Sequence, residues 1–141
     1  GELESQLRNL AFELGITKDV IWLGTQENVH DFYSIMDAFI FTTNYEGFGL
    51  VLLEAMRAEV PIIASNNSAL PEILGVNYPF FIKTGDYMDL SRKMLEITSP
   101  IVRNELKSYL NQRYLLFDPK KMASNLENIY WESFRLKISM D

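Results

Sequence analysis

This sequence predicts an α/β fold, a parallel sheet flanked by helices with a helical C-terminal tail. Three observations carry the expectation. Four short apolar runs, at 19–24, 37–44, 60–65 and 79–84, lack clean polar alternation, which is the pattern of parallel strands covered on both faces. Segments with helical apolar stripes lie between and beyond them. The 141 residues, 48% hydrophobic and 23% charged, suffice for one domain with a real core.

The elements follow in order. ELESQLRNLAFELG (2–15) lines up Leu3, Leu7, Leu10, Ala11 and Leu14, and Gly15 is a good helix stop. DVIWLG (19–24) is the first strand. Asn28 and Asp31 resemble a capping box for a short helix through Met36. DAFIFTTN (37–44) is the second strand, VPIIAS (60–65) the third and PFFIKT (79–84) the fourth. Pro71 and Gly75 bracket a turn or two of helix, and Asp86 caps a helix through about Ile97. Ser99-Pro100 and Asp118-Pro119 open two more. The last carries Met122, Leu126, Ile129, Tyr130 and Phe134 on one stripe. The chain shows no internal repeat, low-complexity tract or linker.

Composition narrows the function. A net charge of −6 argues against a nucleic-acid footprint. It does not exclude an anionic ligand, because helix N-termini bind phosphate locally. With no cysteine there are no disulfides and no thiolate metal sites, which fits a reducing compartment. No run approaches the roughly 20 apolar residues of a membrane span, and no signal peptide opens the chain. The chain begins at Gly1 rather than methionine, so a piece of a longer protein is expected.

In an open α/β sheet, ligands bind beyond the carboxyl ends of the strands. That directs attention to the loops 24–28, 44–49 and 65–70, and above all to NYEGFGLVLLEAM (44–56). Gly47 and Gly49 make a continuous helix through Glu46 costly, so a glycine loop turns and a helix starts near Leu50. Free N–H groups of Gly49, Leu50 and Val51 then face the crevice and suit an oxyanion. Glu54 lies about one turn in, among Leu50, Val51, Leu52, Leu53, Ala55, Met56 and Ala58. A carboxylate there accepts two hydrogen bonds, which matches a vicinal diol such as a ribose, or it pairs with Arg57 three residues on. Glu46 reads as a solvated or a functional loop glutamate, and Phe48 as core or as pocket wall.

The arrangement as a whole is more specific than its parts. Glu46 and Glu54 form Glu-x7-Glu within EGFGLVLLEAM, which resembles the signature of the family 4 retaining glycosyltransferases of GT-B fold. DVIWLG, FYSIMDAFIFTTNYEGFG and VPIIASNNSALPEIL resemble that family's motifs in the same order, and GELESQL resembles the tail of a Gly-x-Gly-x-Leu pattern. The resemblance runs from Gly1 to about Asp89 and loosely through the final helices.

The resemblance implies that residues 1–141 are the Rossmann-like, donor-binding C-terminal half of a two-domain enzyme. The first strand or strands and the N-terminal acceptor domain would lie outside the chain. The expected activity is retaining transfer of a hexose from a nucleotide-diphosphate sugar to a glycan, lipid or other acceptor in polysaccharide or glycoconjugate synthesis. By position, Glu46 is the catalytic carboxylate, near the transferred sugar. Gly47, Phe48, Gly49 and Leu50 hold sugar and phosphate oxygens, Glu54 takes the ribose hydroxyls, and Gly24 and Thr25 lie near the base. No metal and no cofactor are implied beyond the donor itself. The implied location is the cytoplasm, extending to the inner face of the membrane for the full enzyme, and the truncated sheet edge is a place for self-association. The fragment alone is expected to be inactive.

Two departures stand out. Glu59 occupies a family glycine position, so a left-handed backbone there would be strained, and Ser68-Ala69 replace a Gly-Gly. Other residues read as structural: His30 as a solvated surface histidine, Trp22, Tyr33 and Phe39 as core, and Lys83 as exposed. The tail aromatics Tyr130, Trp131 and Phe134 have Glu127, Asn128 and Glu132 on the polar side, which favours packing on the sheet or a partner domain over a lipid surface. Two other functions stay open: a nucleotide-sugar epimerase or hydrolase of the same architecture, and a non-catalytic nucleotide-sugar-binding or interaction module.

Overall fold

The computed structural model describes residues 1–138, with side chains through 135. The order is α1 (Glu4–Glu13), α2 (His30–Ile35), β1 (Phe39–Phe41), α3 (Leu50–Arg57), β2 (Ile62–Ser65), α4 (Leu70–Leu74), β3 (Phe81–Ile82), α5 (Tyr87–Glu96) and α6 (Pro100–Tyr114). A 3₁₀ turn (Leu115–Phe117) and α7 (Pro119–Ile138) close the chain. The three strands form one parallel sheet in the order β1-β2-β3, with Phe39 opposite Ile62 and Ala64 opposite Phe81. The α/β architecture and the helical tail are as the sequence predicts.

β2 is buried along its whole length and forms the floor of the core. Around it pack Leu52, Ala55 and Met56 of α3, Leu70, Ile73 and Leu74 of α4, and Leu106 and Leu110 of α6. Tyr78 is buried beside them, its hydroxyl donating to Ile62 O at 2.6 Å. The predicted caps hold in part. Asp86 accepts from the Asp89 amide at 2.9 Å, whereas Asn28 and Asp31 bond to each other and not to the helix backbone.

Three expectations need correction. Residues 19–24 form no strand: they run beside α1, Trp22 lies under the Arg8 guanidinium, and Ile21 is 82% exposed. A strand needs a neighbour to satisfy its amides and carbonyls, and among the described residues none pairs with this one. The stripe of α1 is also not core, since Ala11 is buried while Leu3, Leu7, Leu10 and Leu14 are exposed. Nor does α7 pack on the sheet: Met122, Leu126, Ile129, Tyr130, Trp131 and Phe134 are all exposed. The sheet is covered on both faces only at β2. On β1, an edge strand, Ile40 turns toward an open hollow it shares with Ala38, Met94 and Ile97.

The backbone bears out the concern about Glu59. Its φ is +58°, in the left-handed region, and Ser68 has φ +49°. The Glu59 side chain accepts a bond from Asn111 Nδ2 at 3.2 Å, on the surface. Glu59→Gly removes left-handed strain of about 1–2 kcal/mol, offset by about 0.4–1 kcal/mol of added freedom in the unfolded chain. A rise of Tm of about 2 °C is expected by calorimetry. A fall would show that the Asn111 bond outweighs the strain.

Candidate functional site

The candidate site is built where β1 ends. After Phe41 the chain leaves the sheet, turns through Asn44–Gly49 and enters α3. Gly49 makes the turn, with φ +78° as the residue before the helix. A Cβ there would lie 3.4 Å from both Glu46 Cγ and Leu52 Cδ1, an ordinary close contact, so it is the left-handed φ that disfavours a side chain. The loop is also tied sideways, Phe48 meeting Phe117 edge-to-face at 6.3 Å.

Glu46 folds back over this turn. Its Oε1 accepts the Gly49 amide at 3.1 Å and the Phe48 amide at 3.3 Å. A carboxylate near the positive end of a helix is favourable, so Glu46 braces the turn that leads into α3, which has no side-chain cap bond of its own. Two of the amides that the sequence offers to an anion are thus occupied by the protein's own carboxylate. The Leu50 and Val51 amides make no hydrogen bond among the described residues.

Glu54 is half-buried on α3, and its partner is not Arg57. Tyr33 of α2 donates its hydroxyl to Glu54 Oε2 at 3.0 Å, and no ion pair joins Glu54 and Arg57 among the described residues. Burial, with the Glu54 carboxylate alongside, pushes the Tyr33 phenol up to about 12. Glu54 opens on a hollow of about 270 Å³ that it shares with His30, Arg57 and Ala58. His30 is exposed, as expected, yet it stands on the wall of this hollow directly after the 24–28 loop. Gly24 (φ +64°) and Thr25 lie exposed in that loop. No hydrogen bond among the described residues ties them to Glu46 or Glu54.

A second hollow of about 270 Å³ opens over the ends of β1 and β3, lined by Thr42, Asn44, Thr84, Asp86, Tyr87 and Leu90. Asn67, from the loop after β2, holds its rim together. Its Nδ2 donates to Thr43 O at 2.7 Å and to Thr84 Oγ1 at 2.6 Å. Among the described residues, Ser65 Oγ and Asn67 Oδ1 are buried near the strand ends without a hydrogen-bond partner. Sequence reasoning flagged the 65–70 loop but not Asn67, and it read Tyr33 as core alone. The signal for Asn67 was an amide in a small polar loop at a strand end. For Tyr33 there was none, because its partner is 21 residues away.

A parallel α/β layer with a glycine-turned helix start beyond a strand end is the architecture in which ligands bind at the carboxyl ends of the strands. The chain belongs to the group 1 glycosyl transferases, whose family model matches residues 1–113. It is 29% identical over 132 residues to N-acetyl-alpha-D-glucosaminyl L-malate synthase of Bacillus anthracis, covering 89% of this chain and 34% of that protein. It is 34% identical over 71 residues to the lipopolysaccharide core biosynthesis mannosyltransferase LpsB of Rhizobium meliloti, covering 50% of this chain and 20% of that protein. Over 112 residues it is 34% identical to the serotype-specific mannosyltransferase WbdA of Escherichia coli, covering 77% of this chain and 14% of that protein. The chain therefore spans about a third or less of the length of these relatives. Among the described residues, no helix is long and apolar enough to cross a membrane, and no cluster of three or more metal-ligating side chains occurs.

Proposed function

We propose that this chain is the donor-binding half of a two-domain retaining glycosyltransferase that takes a nucleotide-diphosphate sugar and transfers its sugar to a glycan or lipid acceptor. The observation that carries the reading is the placement of Glu46 and Glu54 on the two sides of one helix start beyond β1. Glu54 faces a hollow between α2 and α3, with one carboxylate oxygen held by Tyr33 and the other open to a vicinal diol. Glu46 lies on the glycine turn, where the transferred sugar and its diphosphate would meet the Leu50 and Val51 amides and the positive end of α3.

In this reading the ribose hydroxyls sit on Glu54 and the base lies toward Gly24, Thr25 and His30. The sugar approaches Gly47, Phe48 and Gly49. As the sugar–phosphate bond breaks, positive charge develops at the sugar and negative charge on the departing diphosphate. Glu46 counters the first, and the amides and helix dipole counter the second, without reorganisation at the moment of reaction. The Phe48 and Gly49 amides become available to sugar oxygens if Glu46 exchanges its bonds from loop to donor. The acceptor enters from a second domain, and the work is done in the cytoplasm, extending to the inner face of the membrane for the full enzyme. The chain alone lacks that acceptor side and would not transfer sugar.

The test is calorimetry of the parent enzyme with UDP, GDP and ADP. One of the three is expected to bind, and Glu54→Ala is expected to weaken it by about tenfold or more, the loss of a charged acceptor. An intact parent that binds none of them would remove the reading.

A further inference from the structure

Tyr33 is 5% exposed and belongs to the core by its ring, which packs edge-to-face on Phe39 at 5.7 Å. Its hydroxyl reaches out of that apolar layer. The phenol has one proton to donate, and the well-placed acceptor is Glu54 Oε2 at 3.0 Å, with Val51 O more distant at 3.4 Å. Arg57, the cation on the same helix, does not take this role.

We propose that Tyr33 is a positioning residue for Glu54: its hydroxyl fixes Oε2 and presents Oε1 to ligand hydroxyls in the hollow walled by His30 and Arg57. The inference rests on the reading of Glu54 as the diol acceptor. A free glutamate side chain loses rotamer freedom when it is immobilised. Tyr33 holds the carboxylate before any ligand arrives, so binding does not carry that cost again. The bond does not block the ligand, because a carboxylate oxygen accepts more than one hydrogen bond. The raised phenol keeps its proton at any working pH, so Tyr33 remains a donor and never a competing negative charge. The ring supplies the rigidity: it is clamped by Phe39 on β1, so the hydroxyl is placed by the sheet and not by a loop.

Tyr33→Phe keeps the ring and removes only the hydroxyl. In the parent enzyme it is expected to weaken the nucleoside diphosphate that the wild type binds, among UDP, GDP and ADP, by about 3–10-fold. The donor KM should rise by the same factor, with kcat within about twofold. In a Glu54→Ala background, Tyr33→Phe should change affinity by less than about 1.5-fold, because the carboxylate it positions is gone. If Glu54→Ala weakens binding and Tyr33→Phe does not, the positioning role is overturned and the diol reading stands. An equal loss from Tyr33→Phe in both backgrounds would show that it acts through packing, which also overturns the role. If Glu54→Ala itself leaves affinity unchanged, the reading of Glu54 fails, whatever Tyr33 does.

Discussion

Glu46→Gln in the parent enzyme is expected to lower kcat by about 10²–10³-fold while leaving the fold and the affinity for nucleotide nearly unchanged. The reason lies in the two tasks that one side chain performs. Glu46 Oε1 accepts the Gly49 and Phe48 amides and so holds the glycine turn at the start of α3. A glutamine carbonyl oxygen accepts the same two bonds, so the turn is preserved. What glutamine lacks is the negative charge proposed to face the developing positive charge of the sugar. Glu46→Ala removes both tasks and should lower turnover at least as far, with about 1 kcal/mol of lost stability besides. Steady-state kinetics and a melting curve on the two variants separate the roles. Full turnover in Glu46→Gln would reduce Glu46 to a brace for the glycine turn.

The largest expected effect on stability is that of Leu52→Ala. Leu52, the third residue of α3, is fully buried close under Gly49, in the cluster built on β2. Truncation leaves a cavity where α3 meets the sheet, and a loss of about 2–5 kcal/mol is expected. For a domain of this size that lowers Tm by roughly 3–4 °C per kcal/mol, or about 6–20 °C in all. Because Leu52 also supports the glycine turn, nucleotide affinity of the parent should fall with it. A melting temperature within about 2 °C of wild type would show that the core reorganises around the gap.

How much of this was legible beforehand differs between segments, for physical reasons. β2 and α3 read correctly because their signals are local: an uninterrupted apolar run, two glycines, and a helix of small and aliphatic side chains. The run at 19–24 is as apolar as the others, yet it forms no strand. Strand formation is decided by a partner's amides and carbonyls, and hydropathy carries no information about whether a partner is present. The stripes of α1 and α7 mark faces that are suited to burial, but a stripe does not say what covers it.

The strain at Glu59 was foreseeable only through the resemblance. That the backbone there is left-handed is a property of the turn from α3 into β2, which any residue at that position must adopt. Lys93 shows the opposite failure. It is a charged residue on an apparently polar helix, yet it is buried, with its ammonium on Pro79 O at 2.7 Å and above the Phe80 ring. Nothing in its local sequence marks that, because the carbonyl and the ring come from the β3 side of the fold.

The sequence by itself determined the α/β class, the glycine turn at the start of α3, and the eight-residue spacing of Glu46 and Glu54, since each depends on residues close along the chain. Only the tertiary structure decided what those carboxylates touch. Glu46 turns onto its own loop because the Phe48 and Gly49 amides point back at it. Glu54 bonds to Tyr33 and not to Arg57, because α2 brings the Tyr33 hydroxyl to it from across the helix pair. Spacing along one helix sets where a charge starts. The elements packed against that helix set where its hydrogen bonds go, and that is information the chain acquires only on folding.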